Sequence, residues 1–193
     1  MSSWAKAISM PLDHVLFLYV NGSVSSPQWQ TYCAFFATQQ LPLLMAGGLA
    51  GALLVGDRQV KSGAVQVLLA MATAWLLASL GQHFLSIDRP FSIGLGKQWL
   101  PHAASNGFPS KHASVAFAFA AATAFATRRI RWAVPTFLAA GLIAWSRVYL
   151  GLHFPSDVGA GAVMGIFCGC LIAGCASGST LAISADSAIR RFT

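Results

Sequence analysis

Ser146-Arg147-Val148-Tyr149-Leu150-Gly151-Leu152-His153-Phe154-Pro155-Ser156-Asp157 lies at the junction of two long apolar runs, about Val134 to Leu150 and about Val158 to Ala176. About 20 mainly apolar residues suffice to cross a bilayer as a helix. Charged side chains at the edge of such a run are costly, so Arg147, His153 and Asp157 are candidates for function by position alone. Pro155 suits the first turn of the second helix. The four-residue step from His153 to Asp157 can place both on one helix face.

Working outward, the rest of the chain has the same character. Of its 193 residues, 56% are hydrophobic and 9% charged, whereas a soluble domain carries about 25% charged residues. So few charges cannot coat a water-exposed surface, and the bilayer must be the main solvent. Three more apolar runs precede the junction, at about Cys33 to Val55, Ala64 to Leu80 and Ala113 to Thr127. Gln39, Gln40 and Pro42 make a kink expected in the first. The expectation is an all-α integral membrane helical bundle of about five transmembrane helices, one domain over residues 1–193 with a motif core at 82–157. Leu12 to Val20 is too short to span and ends at Asn21-Gly22, so it reads as an interfacial or re-entrant helix. Gly159, Gly161, Gly165 and Gly169 would allow close helix packing in the last run. Met10-Pro11-Leu12-Asp13-His14 interrupts any signal-peptide pattern, so the spans themselves are expected to direct insertion.

Charge narrows the chemistry. All five acidic residues are Asp, too few carboxylates for a two-metal hydrolase. The net charge of +7 suits anionic partners. Its scatter among apolar runs favours anionic lipid over nucleic acid. Cys33, Cys168, Cys170 and Cys175 lack zinc-type spacing and read as packing residues. Asp57-Arg58-Gln59-Val60-Lys61, Arg128-Arg129-Ile130-Arg131 and the tail Arg190-Arg191 fall on one side of a five-span chain, which the positive-inside rule assigns to the cytoplasm. That side holds seven Lys and Arg against five, namely Lys6, Arg89, Lys97, Lys111 and Arg147. Three of the five belong to the polar motifs, which all fall on the outer side.

Each polar segment has a plain reading and a chemical one. His153 and Asp157 could be a structural pair, or a carboxylate that fixes the tautomer of a nucleophilic imidazole. Phe108-Pro109-Ser110-Lys111-His112 could be an ordinary capped helix. Alternatively its amides, the Ser110 hydroxyl and the Lys111 ammonium bind phosphate beside a general acid, His112. Asp88-Arg89-Pro90 could be a solvated turn, or Arg89 could grip an oxyanion with its planar fork. Their joint occurrence on one face of a charge-poor chain favours an oxyanion site. His83 and His102 fall in the long connection between the second and third runs. Trp145, Tyr149 and Phe154 could border the entrance or simply anchor the interface.

These segments resemble the three motifs of the membrane-bound type 2 phosphatidic acid phosphatase superfamily, and within it the bacterial undecaprenyl-diphosphate phosphatases of the bacitracin-resistance type. The family pattern is Lys, six residues and Arg-Pro; Pro-Ser-Gly-His; and Ser-Arg, five residues, His, three residues, Asp. The third is complete from Ser146 to Asp157. In the second, Lys111 takes the Gly place. In the first, Arg89-Pro90 is kept, but Gln82 stands where Lys is expected. The resemblance implies hydrolysis of a lipid diphosphate or monophosphate in the bacterial cytoplasmic membrane, without metal or cofactor. It implies His153 as nucleophile, Asp157 as its orienter and His112 as general acid. Arg89, Ser110, Lys111 and Arg147 would be phosphate ligands, with Gln82, Ser146 and His102 as further candidates.

Overall fold

A computed structural model describes residues 11–189, with side chains described for residues 11–175. Lys6, Arg190 and Arg191 lie outside the described residues. Among the described residues six α-helices follow one another: α1 (Leu12–Val20), α2 (Gln28–Val55), α3 (Arg58–Phe84), α4 (Lys111–Thr127), α5 (Ile130–Tyr149) and α6 (Pro155–Ile189). A 3-10 turn, Pro90–Ile93, interrupts the connection between α3 and α4, and no strand occurs among the described residues.

The helices outrun the apolar segments, because hydropathy marks depth in the bilayer while caps mark helix ends. Asp57 caps α3, its carboxylate accepting from the Val60 amide at 2.9 Å, so α3 starts six residues before Ala64. At its other end α3 takes in Gln82 and His83; both are helical rather than part of the connection. Pro155 opens α6. Ser110 occupies the N-cap position of α4 without making a side-chain cap bond. Pro42 sits inside α2, which continues on both sides of it.

By length and composition, three helical segments among the described residues can cross a membrane: α2, α3 and Pro155–Cys175 of α6. The sequence predicted about five. At 17 residues, α4 is about 25 Å long, at the lower end of the length that crosses a bilayer. The 20-residue α5 carries Arg131 and Arg147. The chain is nonetheless a helical membrane bundle. Large apolar side chains such as Leu43, Leu44, Leu54, Leu138, Val163 and Phe167 face outward, as a lipid solvent requires.

The short α4 is the hub of the bundle and packs most extensively on α6, then α3 and α5. Gly161, Gly165 and Gly169, one turn apart, form the seam with α4. A Cβ on Gly165 would lie 2.2 Å from the Ser114 carbonyl oxygen, and one on Gly169 would lie 2.7 Å from Ala121 Cβ. Gly159 has nothing within 4 Å of a Cβ, so it does not belong to this contact. The motif segments gather at one end of the bundle. The short connections at 56–57 and 128–129, with Arg58, Lys61, Arg128, Arg129 and Arg131 in or next to them, alternate with them along the chain and close the other end.

Candidate active site

Backbone hydrogen bonds draw the motif segments together. The Ser110 amide donates to the Asp157 carbonyl at 3.0 Å, joining the start of α4 to the first turn of α6. Between α5 and α6 the chain turns tightly, with the Leu152 and His153 amides donating to the Arg147 carbonyl at 3.0 and 3.3 Å. Gly151 makes that turn at φ +80°, and a Cβ there would meet the Lys97 carbonyl oxygen at 2.2 Å. Only glycine meets both demands.

The turn places His153 just ahead of α6, where it is 2% exposed, beside Asp157 at 1%. Asp157 Oδ2 accepts from the Phe154 amide at 2.9 Å, the half of a capping box in which a third-position carboxylate satisfies the cap amide. The same oxygen stands 3.4 Å from His153 Nδ1. On the other side of the ring, Nε2 lies 3.1 Å from Arg89 Nη1. A guanidinium can only donate, so Nε2 is the acceptor and the imidazole proton sits on Nδ1, facing Asp157. Burial, and then the positive charges of Arg89, Arg147 and His102, hold His153 well below the usual imidazole range; a backbone hydrogen bond at Gly107 opposes them. A neutral imidazole with its Nε2 lone pair turned toward the Arg89 guanidinium is therefore the resting state at neutral pH.

Arg89 and Arg147 are both buried but differently engaged. Arg89 Nε donates to the Ser105 carbonyl at 2.8 Å, and Nη1 donates to the Leu152 carbonyl at 3.0 Å. Nη2 donates to the Asn106 carbonyl at 3.3 Å. Burial lowers its basicity, with Asp157 opposing. Its fork thus braces the loop against the His153 turn, rather than standing open as the sequence suggested. Arg147 donates through Nη1 to Thr38 Oγ1 at 2.7 Å, while its Nε is buried without a protein partner. The Ser110 hydroxyl is likewise fully buried and unpartnered. Leaving such donors unsatisfied costs about 1–3 kcal/mol each, so these two atoms mark where an anion would be rewarded.

The other candidates divide. His112 sits in the first turn of α4, within electrostatic reach of Arg147, His153, His102 and Arg89. His102 is solvent-exposed; desolvation, then the charges of Arg89 and Arg147, lower its basicity. Gln82 spends its amide on the frame: Nε2 donates to the Pro109 carbonyl at 2.9 Å, and its backbone carbonyl accepts from Asn106 Nδ2 at 2.7 Å. Ser146 Oγ donates to the Ile143 carbonyl at 2.7 Å. Lys111 turns toward Trp75, its Nζ 5.7 Å from the ring centre.

Sequence reading missed the brace behind this turn. Asp13 on α1 accepts from the Ser156 amide at 3.0 Å and from the Ser156 hydroxyl, capping α6 from another helix. His14 stacks on Phe154 with ring centres 4.9 Å apart, and the buried Phe17 meets the same ring edge-on. Asn21 accepts from the Lys97 amide at 2.7 Å and donates to the Tyr149 carbonyl at 3.0 Å. So α1 packs against the site end. The one available signal was Asp13 itself, a charge beside an apolar run in a chain with five acids.

Similarity to known proteins follows the same region. Residues 63–180 match the PAP2 superfamily. YbjG of Escherichia coli (strain K12), named provisionally as an undecaprenyl-diphosphatase, is 34% identical over 167 residues, covering 84% of this chain and 81% of its own length. The undecaprenyl-diphosphatase BcrC of Bacillus subtilis (strain 168) is 37% identical over 83 residues, 43% of this chain and 42% of BcrC. Among solved structures, Aquifex aeolicus LpxE superposes with a TM-score of 0.68 at 26% identity, covering 85% of this chain and 96% of LpxE. A PAP2-type phosphatidylglycerolphosphate phosphatase from Bacillus subtilis has the same fold, with a TM-score of 0.67 at 21% identity over 92% of this chain and 88% of its own.

Proposed function

The chain belongs to the PAP2 superfamily, and on that premise we propose that it is a lipid phosphatase that hydrolyses undecaprenyl diphosphate to undecaprenyl phosphate and phosphate. The carrying observation is the buried His153, held at Nδ1 by Asp157 and with its Nε2 an acceptor toward Arg89, under the further positive charge of Arg147 and next to the Ser110–Asp157 backbone junction. Simple binding of a phosphate needs no nucleophile. The likeness to YbjG over most of both chains supports the diphosphate substrate.

In this scheme the Nε2 lone pair attacks the terminal phosphorus as the phosphoanhydride bond breaks. His112 protonates the departing lipid phosphate. Arg89 must first exchange His153 for a phosphoryl oxygen. Arg147 Nε, the Ser110 hydroxyl and the α4 amides then share the charge, the usual source of catalysis in phosphoryl transfer. Asp157 holds the Nδ1 proton and offsets the positive phosphoimidazole. Water, activated by His112, then cleaves the P–N bond and releases phosphate. No step calls on a metal; the nearby carboxylate, Asp157, is committed to Phe154 and His153.

The positive-inside bias of Arg58, Lys61, Arg128, Arg129 and Arg131 supports a site on the outer face of a bacterial cytoplasmic membrane. A rival reading is hydrolysis of phosphatidylglycerol phosphate, phosphatidate or lipid A; another is transfer of the phosphoryl group to a lipid acceptor. Purified protein with a chelator present, assayed on all four lipids, should show its highest kcat/KM on undecaprenyl diphosphate and release free phosphate. A preference for another lipid, phosphorylated lipid in place of phosphate, or loss of activity to the chelator would each overturn its part of this reading.

A further inference from the structure

The Lys111 side chain is the one motif cation that leaves the His153 cluster. The charges acting on His153 are those of Arg89, Arg147 and His102. Lys111 is half-buried, and among the described residues no carboxylate lies within ion-pair distance of it. Its ammonium instead lies 5.7 Å from the Trp75 ring centre, a weak contact at that distance. A half-buried ammonium without a carboxylate suits an anionic ligand.

What surrounds it indicates which anion. Lys111 and His112 border a cavity of about 290 Å³ that continues past Trp75 to Met45, Met71 and Ile143. Those last residues lie well inside α2, α3 and α5. The cavity is thus apolar in its depth and cationic where it meets α4. Ser110, the residue before Lys111, has its hydroxyl buried without a partner, and its amide meets the Asp157 carbonyl. A lipid with its tail in the apolar chamber would bring its head group first to Lys111 and then to the Ser110 and His153 end. A phosphate monoester would put its single phosphate in the pocket and leave Lys111 beside an uncharged ester. A diphosphate has a second anionic group one link closer to the lipid.

Resting on the proposed phosphatase function, we propose that Lys111 is a specificity-determining residue that binds the non-reacting, lipid-proximal phosphate of a diphosphate substrate. It leaves the cleaved phosphoryl group to Arg89, Arg147 and Ser110. This phosphate becomes the leaving group, so a cation there also offsets charge that grows as the anhydride bond breaks. Lys111 therefore does not replace the cation lost at Gln82; it serves the neighbouring phosphate.

The test uses the full-length protein in detergent micelles, with undecaprenyl diphosphate and phosphatidate as paired substrates. Lys111→Met keeps the apolar stem and removes the charge, and Lys111→Arg keeps the charge. For Lys111→Met, kcat/KM on the diphosphate should fall about 10- to 100-fold, the size of one charged hydrogen bond. Turnover of phosphatidate should stay within about two-fold, which also shows that the variant is folded. Lys111→Arg should recover most of the diphosphate activity. Equal losses on both substrates would overturn the inference and return Lys111 to the shared pocket, and no loss on either would also overturn it. Wild-type protein that cleaves phosphatidate but not the diphosphate would overturn the proposed function together with this inference.

Discussion

The two ends of the bundle use polar residues in opposite ways. At the connector end, α3 starts behind the single cap of Asp57 and α4 stops at Arg128 in the left-handed region, φ 50°. The charges there are exposed, and the caps that are made come from neighbouring residues. At the site end, Arg89, Ser110, Arg147, His153 and Asp157 are nearly all out of solvent; Arg89 and Arg147 reach partners far along the chain, and the Ser110 hydroxyl has none. Solvated charges are individually cheap to change. Buried, interlocked ones are not, because every removal strands a partner.

The strongest way to break this contrast is at the nucleophile. His153→Ala should lower kcat by on the order of 10³-fold or more, with no acid-stable radiolabelled intermediate involved in the comparison: a phosphohistidine trapped in the wild type should be acid-labile and absent in the variant. Near-normal turnover would remove His153 from that role. Gly151→Ala should come next. Its left-handed φ alone costs about 1–2 kcal/mol, and its Cβ would press on the Lys97 carbonyl, so both Tm and kcat should drop; an unchanged Tm would show that the turn yields.

A pH titration sharpens the same contrast. The folded protein holds His153 below its unfolded value, so the unfolded chain takes up the proton first. Its stabilising contribution is complete above about pH 6.5 and is lost as pH falls. Thermal melts in detergent should therefore show Tm declining from pH 7.5 to 5.5, and His153→Gln should flatten that decline. An equal slope in both proteins would assign it to other groups.

Effects should be smaller at the connector end. Asp57→Ala should cost about 1 kcal/mol of helix capping, seen as a lower Tm with kcat unchanged. Arg128→Gly should raise Tm slightly, because glycine relieves a left-handed residue by roughly 1 kcal/mol. A fall in activity from either variant would mean that the two ends are coupled.

How much was legible follows from the range of each interaction. The all-helical membrane class could be read from the chain because it depends on composition, and the Pro155 helix start because capping is local. The meeting of the motifs at one end followed from counting spans. Helix ends were misplaced around Ala64 and Leu80 because Asp57 and the capped Phe84 end act on backbone groups, which hydropathy does not sense. Length and hydropathy together single out α2, α3 and Pro155–Cys175 of α6 as candidate spans among the described residues, because α4, at 17 residues, is as apolar as its neighbours but shorter.

Composition, motif order and the glycines one turn apart in α6 were properties of the chain itself, since each rests on residues close in sequence. The use of each donor was a matter of tertiary contact. Gln82 reached Pro109, Arg89 was drawn onto the His153 turn, Arg147 found Thr38, Lys111 turned to Trp75, and Asp13 capped a helix 143 residues away. A hydrogen bond or buried charge takes its value from partner distance and exclusion of water, and only the packed helices bring those partners together.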